Sequence, residues 1–412
     1  MPQFIPFRGL RYSPSVPLDL VIAPPYDVVD SRQRAELAQR HPANSILVEL
    51  PAADDRSGLD PYENAETLLA EWRRVRIVRH DLSPAFYAYR MTTPAGATTT
   101  GVIGALGLEK PGGDVLPHEQ TIPKDKTDRL ELLRACRANL SPIWGLSLSD
   151  GLAATYQTEQ KPDAEATDDD GVLHQLWVLD DPGTIQRISE AVGRSPVVIA
   201  DGHHRYETAL TYEEESRSSQ LDGTRPASSA PGDEFHGEDY VMAFVVELAE
   251  DQLTVEPIHR SLVEVPDDVD LVEAFGNWFE VAPAGPPEEK FLESLVASRS
   301  LALVTRDGVW LLTPLEAAYQ AASSDLDSAV MAAAVASIPG ASTRHHHDWR
   351  EAIEAVEAGD ADAALVLRPV TVPQIAEWAH DRRRMPPKST YFYPKPRTGM
   401  VFRTLDDPDE TG

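Results

Sequence analysis

A single cysteine, Cys136, stands among 412 residues. With no second thiol the chain can form no intramolecular disulfide and no all-cysteine zinc site. That usage fits a reducing compartment. Long apolar runs are also missing: no window approaches the roughly 18 residues of a membrane span. The opening MPQFIPFRGL has no basic stretch followed by an apolar run, so no secretory signal is expected. A cytoplasmic location follows as the expectation, with no membrane partner. Positive charge is scarce as well. Lysine and arginine number 37 against 67 acids, a net charge of −30. Wrapping nucleic acid needs clustered cations, so no nucleic-acid partner is expected, whereas a local pocket for a small anion is compatible with this balance. Only seven of the 37 bases are lysine. The arginine bias fits GC-rich codons, and the acidity fits a halophile's surface.

What is present is an alternation of strand-like and helix-like segments. SILVEL (45–50), AFYAYRM (85–91), VIGAL (102–106) and IWGLSL (143–148) are short and rich in aliphatic and aromatic residues, the pattern of strands. Residues 61–78 and 127–139 carry apolar positions at helical spacing. The stretch 159–171 is acidic and apolar-poor, the composition of a solvated loop. HQLWVLD (174–180) and PVVIAD (196–201) read as strands, the second buried on both faces. DPGTIQRISEAVG (181–193) reads as a helix, and another begins at His203. Residues 213–239, with eight acids and five serines, suggest a flexible acidic insert. YVMAFVVEL (240–248) and LTVEPIHRSL (253–262) suggest paired strands. Beyond 266, helices are expected at 269–280, 287–298, 323–335, 348–358 and 372–383. Strands are expected at 301–305, 309–314, 363–370 and 399–405. The predicted class is mixed α/β, in three parts: 1–158, 172–265 and 266–412.

The densest chemistry lies at IADGHHRYETAL (199–210). A strand ends in Asp201, Gly202 permits a tight turn, and a helix follows. The helix start offers N–H groups and a positive dipole end to an anion. Arg205 can grip two oxygens at once, and His203 and His204 add donors that titrate near neutrality. Asp201 could equally serve as the helix cap. A metal held by two adjacent histidines alone is disfavoured, because neighbours on a helix point roughly 100° apart.

A second polar cluster spans residues 118–133. Glu119 could bind magnesium or act as a base, while Lys124, Lys126 and Arg129 could neutralise phosphate, the division of labour of phosphoryl transfer. The alternative is an exposed loop in which Asp128 pairs with Arg129. PPYDVV (24–29) sets Tyr26 and Asp27 after two prolines; Asp27 could be a ligand, a base or a turn-stabilising group. KSTYFYPKP (388–396) interleaves aromatics with Lys388 and Lys395, suited to a nucleobase and a phosphate or to simple packing. The run His345-His346-His347-Asp348 sits beside a helix start, and consecutive histidines make a poor zinc site.

DGHHR before a helix resembles the G-x-H-R signature of the ParB/sulfiredoxin-like superfamily. With PPYDVV, His118, Glu119, Thr121, Asp128, Arg129, Asn139, Ser141, Pro142, DGHHRY (201–206) and the ST-Y-F-YPK box (389–395), the whole chain is similar to family 1015 of the domains of unknown function. The resemblance implies a ParB/sulfiredoxin-like core with additional α/β subdomains, and nucleotide phosphates near the G-x-H-R turn. The turn has no cysteine, unlike sulfiredoxin, and the chain lacks the basic character of the partition proteins. Free-serine kinases are the nearest analogy.

The implied activity is phosphoryl transfer from a nucleoside phosphate, with magnesium, to a small hydroxylated metabolite such as serine. The implied catalytic residues are Asp201, Glu119 and His204. Phosphate would be held by Gly202, His203, Arg205, Arg129, Lys124 and Lys126, and metal by Asp201 and Glu119. Asp27, His118 and Lys395 are further site candidates. A nucleotide-hydrolysing switch and a non-catalytic small-anion module are the alternatives, and the oligomeric state is left open.

Overall fold

A computed structural model of the chain describes residues 1–54, 57–118, 127–221 and 236–406. It is mixed α/β and divides into two compact units. The first contains the described residues up to Thr254 together with those from Pro394 onward; the second runs from Val255 to Tyr393.

The first unit is built on a nine-stranded sheet. Its path runs Val115–Pro117, Val197–Asp201, Ile143–Ser147, Tyr240–Glu247, Thr98–Gly107, Phe86–Thr92, Leu173–Leu179, Ala164–Thr167. Phe4–Ile5 adds to Thr98–Gly107. Val197–Asp201 lies parallel to Val115–Pro117 and antiparallel to Ile143–Ser147. Its run VVIA is buried throughout, as its continuous apolar sequence predicts. Tyr206, Ala209, Ile188 and Val192, from the helices His203–Leu221 and Pro182–Gly193, join one core with Ile143, Val197 and Val245. Helix starts follow the local chemistry. Asp60 and Glu63 form a reciprocal capping box before Pro61–Arg74, and Asp181 accepts from the Thr184 N–H before Pro182–Gly193.

The second unit holds an all-antiparallel six-stranded sheet. Its order is Phe279–Ala284, Gly308–Pro314, Leu301–Thr305, Ala363–Val366, His259–Val263, Ser342–His346. Its main core gathers Leu262, Leu303, Leu312 and Leu365 with Val330 and Met331 of the helix Asp327–Ala336. Among the described residues no helix is long and apolar enough to cross a membrane.

Four sequence expectations are corrected. SILVEL contains the short helix Ile46–Glu49. Ile46, Val48 and Glu49 are all buried there, and a short run buried all round carries no period that separates strand from helix. The side-chain oxygen of Asn44 accepts from the Ile46 N–H (2.9 Å) and starts that turn. Tyr240–Glu247 does not pair with 253–262, because both its edges are taken, by Thr98–Gly107 and Ile143–Ser147. Pro257 divides the latter segment, and His259–Val263 joins the sheet of the second unit. The acidic stretch 159–171 includes the strand Ala164–Thr167 and a side chain of Asp168 only 6% exposed. Finally, the helix from His203 continues to Leu221, into the segment read as a flexible insert. Tyr212 packs there with Leu133 and Leu405, and Arg217 pairs with Glu213 (2.6 Å).

Candidate functional site

The turn after Val197–Asp201 places the densest motif of the sequence. The register against Ile143–Ser147 shifts between Ile199 and Asp201, an irregularity of the kind that re-aims a side chain at a strand end. Gly202 then takes φ +87°, and its carbonyl accepts the Tyr206 N–H (3.0 Å), so it stands where the helix begins. An added Cβ at 202 would meet Ile143 Cγ2 at 3.0 Å and the Arg205 guanidinium at 3.1 Å. Both the backbone conformation and the space therefore require glycine.

Asp201 does not cap this helix. Its Oδ2 accepts from Arg205 Nη2 (2.8 Å) and its Oδ1 from Lys395 Nζ (2.8 Å). Lys395 also donates to Asp27 Oδ2 (2.9 Å). Thus three candidates distant in sequence, Asp27, Asp201 and Lys395, meet around one ammonium, with Arg205 beside them. Burial alone would penalise each charge. Lys395 and Arg205 outweigh it at Asp201 and hold the carboxyl well below the usual range. Burial would lower Lys395, yet Asp201 and Asp27 raise it instead. Asp201 and Lys395 both stay ionised at neutral pH.

Arg205 is firmly seated. Its Nη1 donates to Ser141 Oγ (3.1 Å) and to the Pro142 carbonyl. Ser141 in turn donates to Glu49 Oε1 (2.8 Å), and Glu49 is only 2% exposed. Arg129 Nη1 donates to the Glu49 carbonyl (2.6 Å), and its guanidinium lies 4.4 Å from the centre of the Tyr26 ring. Tyr26, Glu49, Arg129, Asn139, Ser141 and Arg205 border a cavity of about 60 Å³. His118 is buried; its Nδ1 donates to the Ile199 carbonyl (2.6 Å), and its ring centre lies 5.1 Å from that of His203. His204 Nδ1 stands 3.9 Å from Glu207.

The described part of the 118–129 cluster, His118 and Arg129, therefore lies by the same turn as 201–205. Glu119, Lys124 and Lys126 fall outside the described residues. His204 Nδ1, Arg205 Nε and Thr208 Oγ1 are buried atoms with no hydrogen-bond partner among the described residues. Buried polar atoms are ordinarily satisfied, so a ligand oxygen or water at this turn would find donors waiting. The backbone N–H groups of His204 and Arg205 are likewise unbonded among the described residues, as at any helix start.

A preformed magnesium site does not fit Asp201, whose two oxygens already face cations. Among the described residues no group of three His, Cys, Asp or Glu side chains could hold a metal ion.

Sequence reasoning missed two parts of this region. Glu49 lay hidden in a segment read as a strand. The second is a closed ring of hydrogen bonds that fixes the chain two residues past Lys395. Tyr89 Oη donates to His174 Nδ1 (2.7 Å), and His174 Nε2 donates to Asp168 Oδ2 (2.8 Å). Arg397 Nε donates to the same Asp168 oxygen (2.7 Å), while the Arg397 N–H donates to Tyr89 Oη (3.2 Å). Burial opposes the Asp168 charge, but His174 and Arg397 prevail and hold its carboxyl at about 2. Next in the chain, Thr398 pairs with Ala23, four residues before Asp27. The PPYDVV and YPKP boxes are thereby tied together. The only signal in the sequence was His174 within a mostly apolar strand.

The family described as Protein of unknown function (DUF1015) matches residues 4–332, and the chain belongs to it. A search of curated proteins returns no match. Among solved structures, a conserved hypothetical protein from Pyrococcus furiosus is 14% identical over 71% of this chain and 93% of its own, with a TM-score of 0.35. A free serine kinase in complex with AMP is 14% identical over 69% and 93%, with a TM-score of 0.34. SbnI with a C-terminal truncation, from Staphylococcus aureus, is 13% identical over 75% and 90%, with a TM-score of 0.36.

Proposed function

We propose that the DGHHR turn binds the phosphates of a nucleotide and transfers a phosphoryl group to a small hydroxylated metabolite, serine being the first to test. The observation that carries this reading is the charge arrangement around Asp201. One lysine and one arginine, both largely buried, stand at a helix start where the His204 and Arg205 N–H groups are unbonded among the described residues. Phosphoryl transfer needs positioning and cationic stabilisation more than covalent chemistry. The resemblance of this turn to the G-x-H-R signature of the ParB/sulfiredoxin-like superfamily, among whose members free-serine kinases are the nearest analogy, supports the same reading.

In this proposal Arg205, Lys395 and the helix N–H groups receive phosphate oxygens, with His203 and His204 as further donors. The acceptor oxygen bonds to the terminal phosphorus as the bond to the nucleoside diphosphate breaks. Asp201 orients the acceptor hydroxyl by accepting its hydrogen bond. A carboxylate held so far below neutrality is a weak base. The hydroxyl proton is therefore assigned to Glu119, which directly follows His118 in the sequence. Arg129 and the two lysines at 124 and 126 add positive charge. Magnesium enters only with the nucleotide's own phosphates, where it would neutralise charge.

The test is to incubate the protein with ATP, magnesium and serine and to follow ADP and phosphoserine together. Stoichiometric formation of both, lost in Asp201→Asn, is the expected result. ADP released without an acceptor would favour the hydrolysing switch, and no consumption of ATP together with no binding would end the proposal.

A further inference from the structure

A second region of the first unit sets two like charges side by side. The strand Leu10–Tyr12 pairs antiparallel with Val78–His80, and the register sets Arg11 directly opposite Arg79. Like charges facing each other across a two-stranded ribbon are destabilising. Only one of the pair is neutralised. Arg11 places Nε and Nη2 on the carboxylate of Asp81, at 2.9 and 2.6 Å, and Asp81 also accepts from Tyr87 Oη (2.9 Å). Arg11 Nη1 and the whole Arg79 guanidinium make no hydrogen bond or ion pair among the described residues.

Both arginines line one cavity of about 410 Å³, larger than the one beside Arg205. That volume falls within the roughly 300–1,000 Å³ of small-molecule sites. The lining also carries acceptors. Asp163 Oδ2 takes the Val178 N–H and Glu165 Oε2 takes Gln175 Nε2, which leaves one oxygen of each without a bond among the described residues. His80 Nδ1 faces the Arg8 carbonyl (3.4 Å), while its Nε2 is buried with no hydrogen-bond partner among the described residues. Burial lowers the pKa of this histidine, so Nε2 is an acceptor in want of a donor. Val16, Leu18 and Met400 give the cavity an apolar wall.

We infer that this cavity binds a small organic anion bearing hydroxyl groups. Its phosphate or carboxylate head would lie between Arg79 and Arg11 Nη1, and its hydroxyls would donate to His80 Nε2, Asp163 and Glu165. An anion so placed converts the facing arginines from a repulsive pair into a clamp, which gives the arrangement a physical reason. No residue lining this cavity lines the one beside Arg205 or belongs to the Asp201 cluster, so the inference stands apart from the phosphoryl-transfer reading.

The test uses the full chain with four probes: ribose 5-phosphate, gluconate, ribose and inorganic phosphate. Each is titrated calorimetrically into wild type, Arg79→Gln and Arg205→Lys. Ribose 5-phosphate or gluconate should bind wild type and Arg205→Lys alike. Which of the two binds more tightly identifies a phosphate or a carboxylate head. Ribose should not bind, and inorganic phosphate should bind more weakly than the better organic anion. Arg79→Gln should weaken that anion about tenfold or more, the worth of a charged hydrogen bond. Without ligand, Arg79→Gln should melt no lower than wild type, because it relieves like-charge opposition. The inference is overturned if neither organic anion binds wild type, if Arg79→Gln binds as wild type does, or if Arg205→Lys loses the binding too.

Discussion

Two regions gather titratable groups under partial burial, and they resolve the conflict in opposite ways. Around Asp201 in the first unit, charges of opposite sign answer one another, and burial loses. Asp201 is driven down, Lys395 up, and both remain ionised. In the second unit, the strands His259–Val263 and Ser342–His346 bring His259, His345 and His346 together with Arg260. Here burial wins at His259, which is 1% exposed, and neighbouring cations add to it, so its pKa falls to about 4; the more exposed His345 is also lowered, with Arg260 and Lys388 beside it. They are neutral at physiological pH and behave as packing and hydrogen-bonding groups. His259 Nδ1 accepts from the Leu367 N–H (3.2 Å), His346 Nε2 pairs with Ser261 Oγ (2.9 Å), and His347 stacks on Tyr391. A cluster of ionisable residues becomes a charged site only when partners of the other sign are built in beside it.

The largest test of that contrast is to remove the shared cation. Lys395→Met leaves Asp27 and Asp201 facing each other with their common partner gone. Breaking a buried pair from one side costs about 3–5 kcal/mol. The lower end is expected here, since both carboxylates retain contact with water (30% and 24% exposed). Urea unfolding at neutral pH measures it. Acidification should shrink the difference between variant and wild type as the stranded carboxylates take up protons.

The histidine region should respond to pH with the opposite sign of charge. Its folded pKa lies below the unfolded one, so below about 6.5 the unfolded chain binds a proton that the folded chain refuses. Stability therefore falls as pH drops from about 6.5 towards 4 and levels off beneath. For His259 alone the loss at pH 5 is about 2 kcal/mol, at 1.36 kcal/mol per pKa unit. Unfolding curves of wild type and His259→Gln across that range check it: the slope should flatten in the variant. His345→Gln sits at the small end. Its side chain lies on an exposed position of an edge strand. The change should stay within about 0.5 kcal/mol at neutral pH and leave ligand binding untouched.

Much of the fold was legible where period and punctuation agree. Asp181-Pro182 and Asp60-Pro61 announced helices, and PVVIAD announced a strand buried on both faces. The turn at Asp201–Arg205 was visible because polar residues and a glycine interrupt an apolar run. What escaped were properties that depend on distant partners. A helix cap stood as the alternative for Asp201, since a sequence shows the nearest N–H groups but not Lys395, 194 residues away. Arg205 is a parallel case, as its guanidinium serves Asp201, Ser141 and Pro142, contacts that no local pattern announces. Glu49 and the Tyr89–His174–Asp168–Arg397 ring were hidden because isolated polar residues in apolar or acidic segments carry no period. The pairing expected between 240–248 and 253–262 failed because composition does not reveal that both edges of Tyr240–Glu247 are already paired.

The proposed activity depends on the turn after Asp201 receiving phosphate through Arg205. Titrating ATP into wild type and Arg205→Lys at one fixed salt concentration tests it most directly, with folding of the variant verified at the same temperature. Lysine offers one compact charge where arginine offers a planar fork. Wild type should bind measurably, and the variant should lose about tenfold to a hundredfold in affinity. Equal affinity in a folded variant, or no binding to wild type, would contradict it.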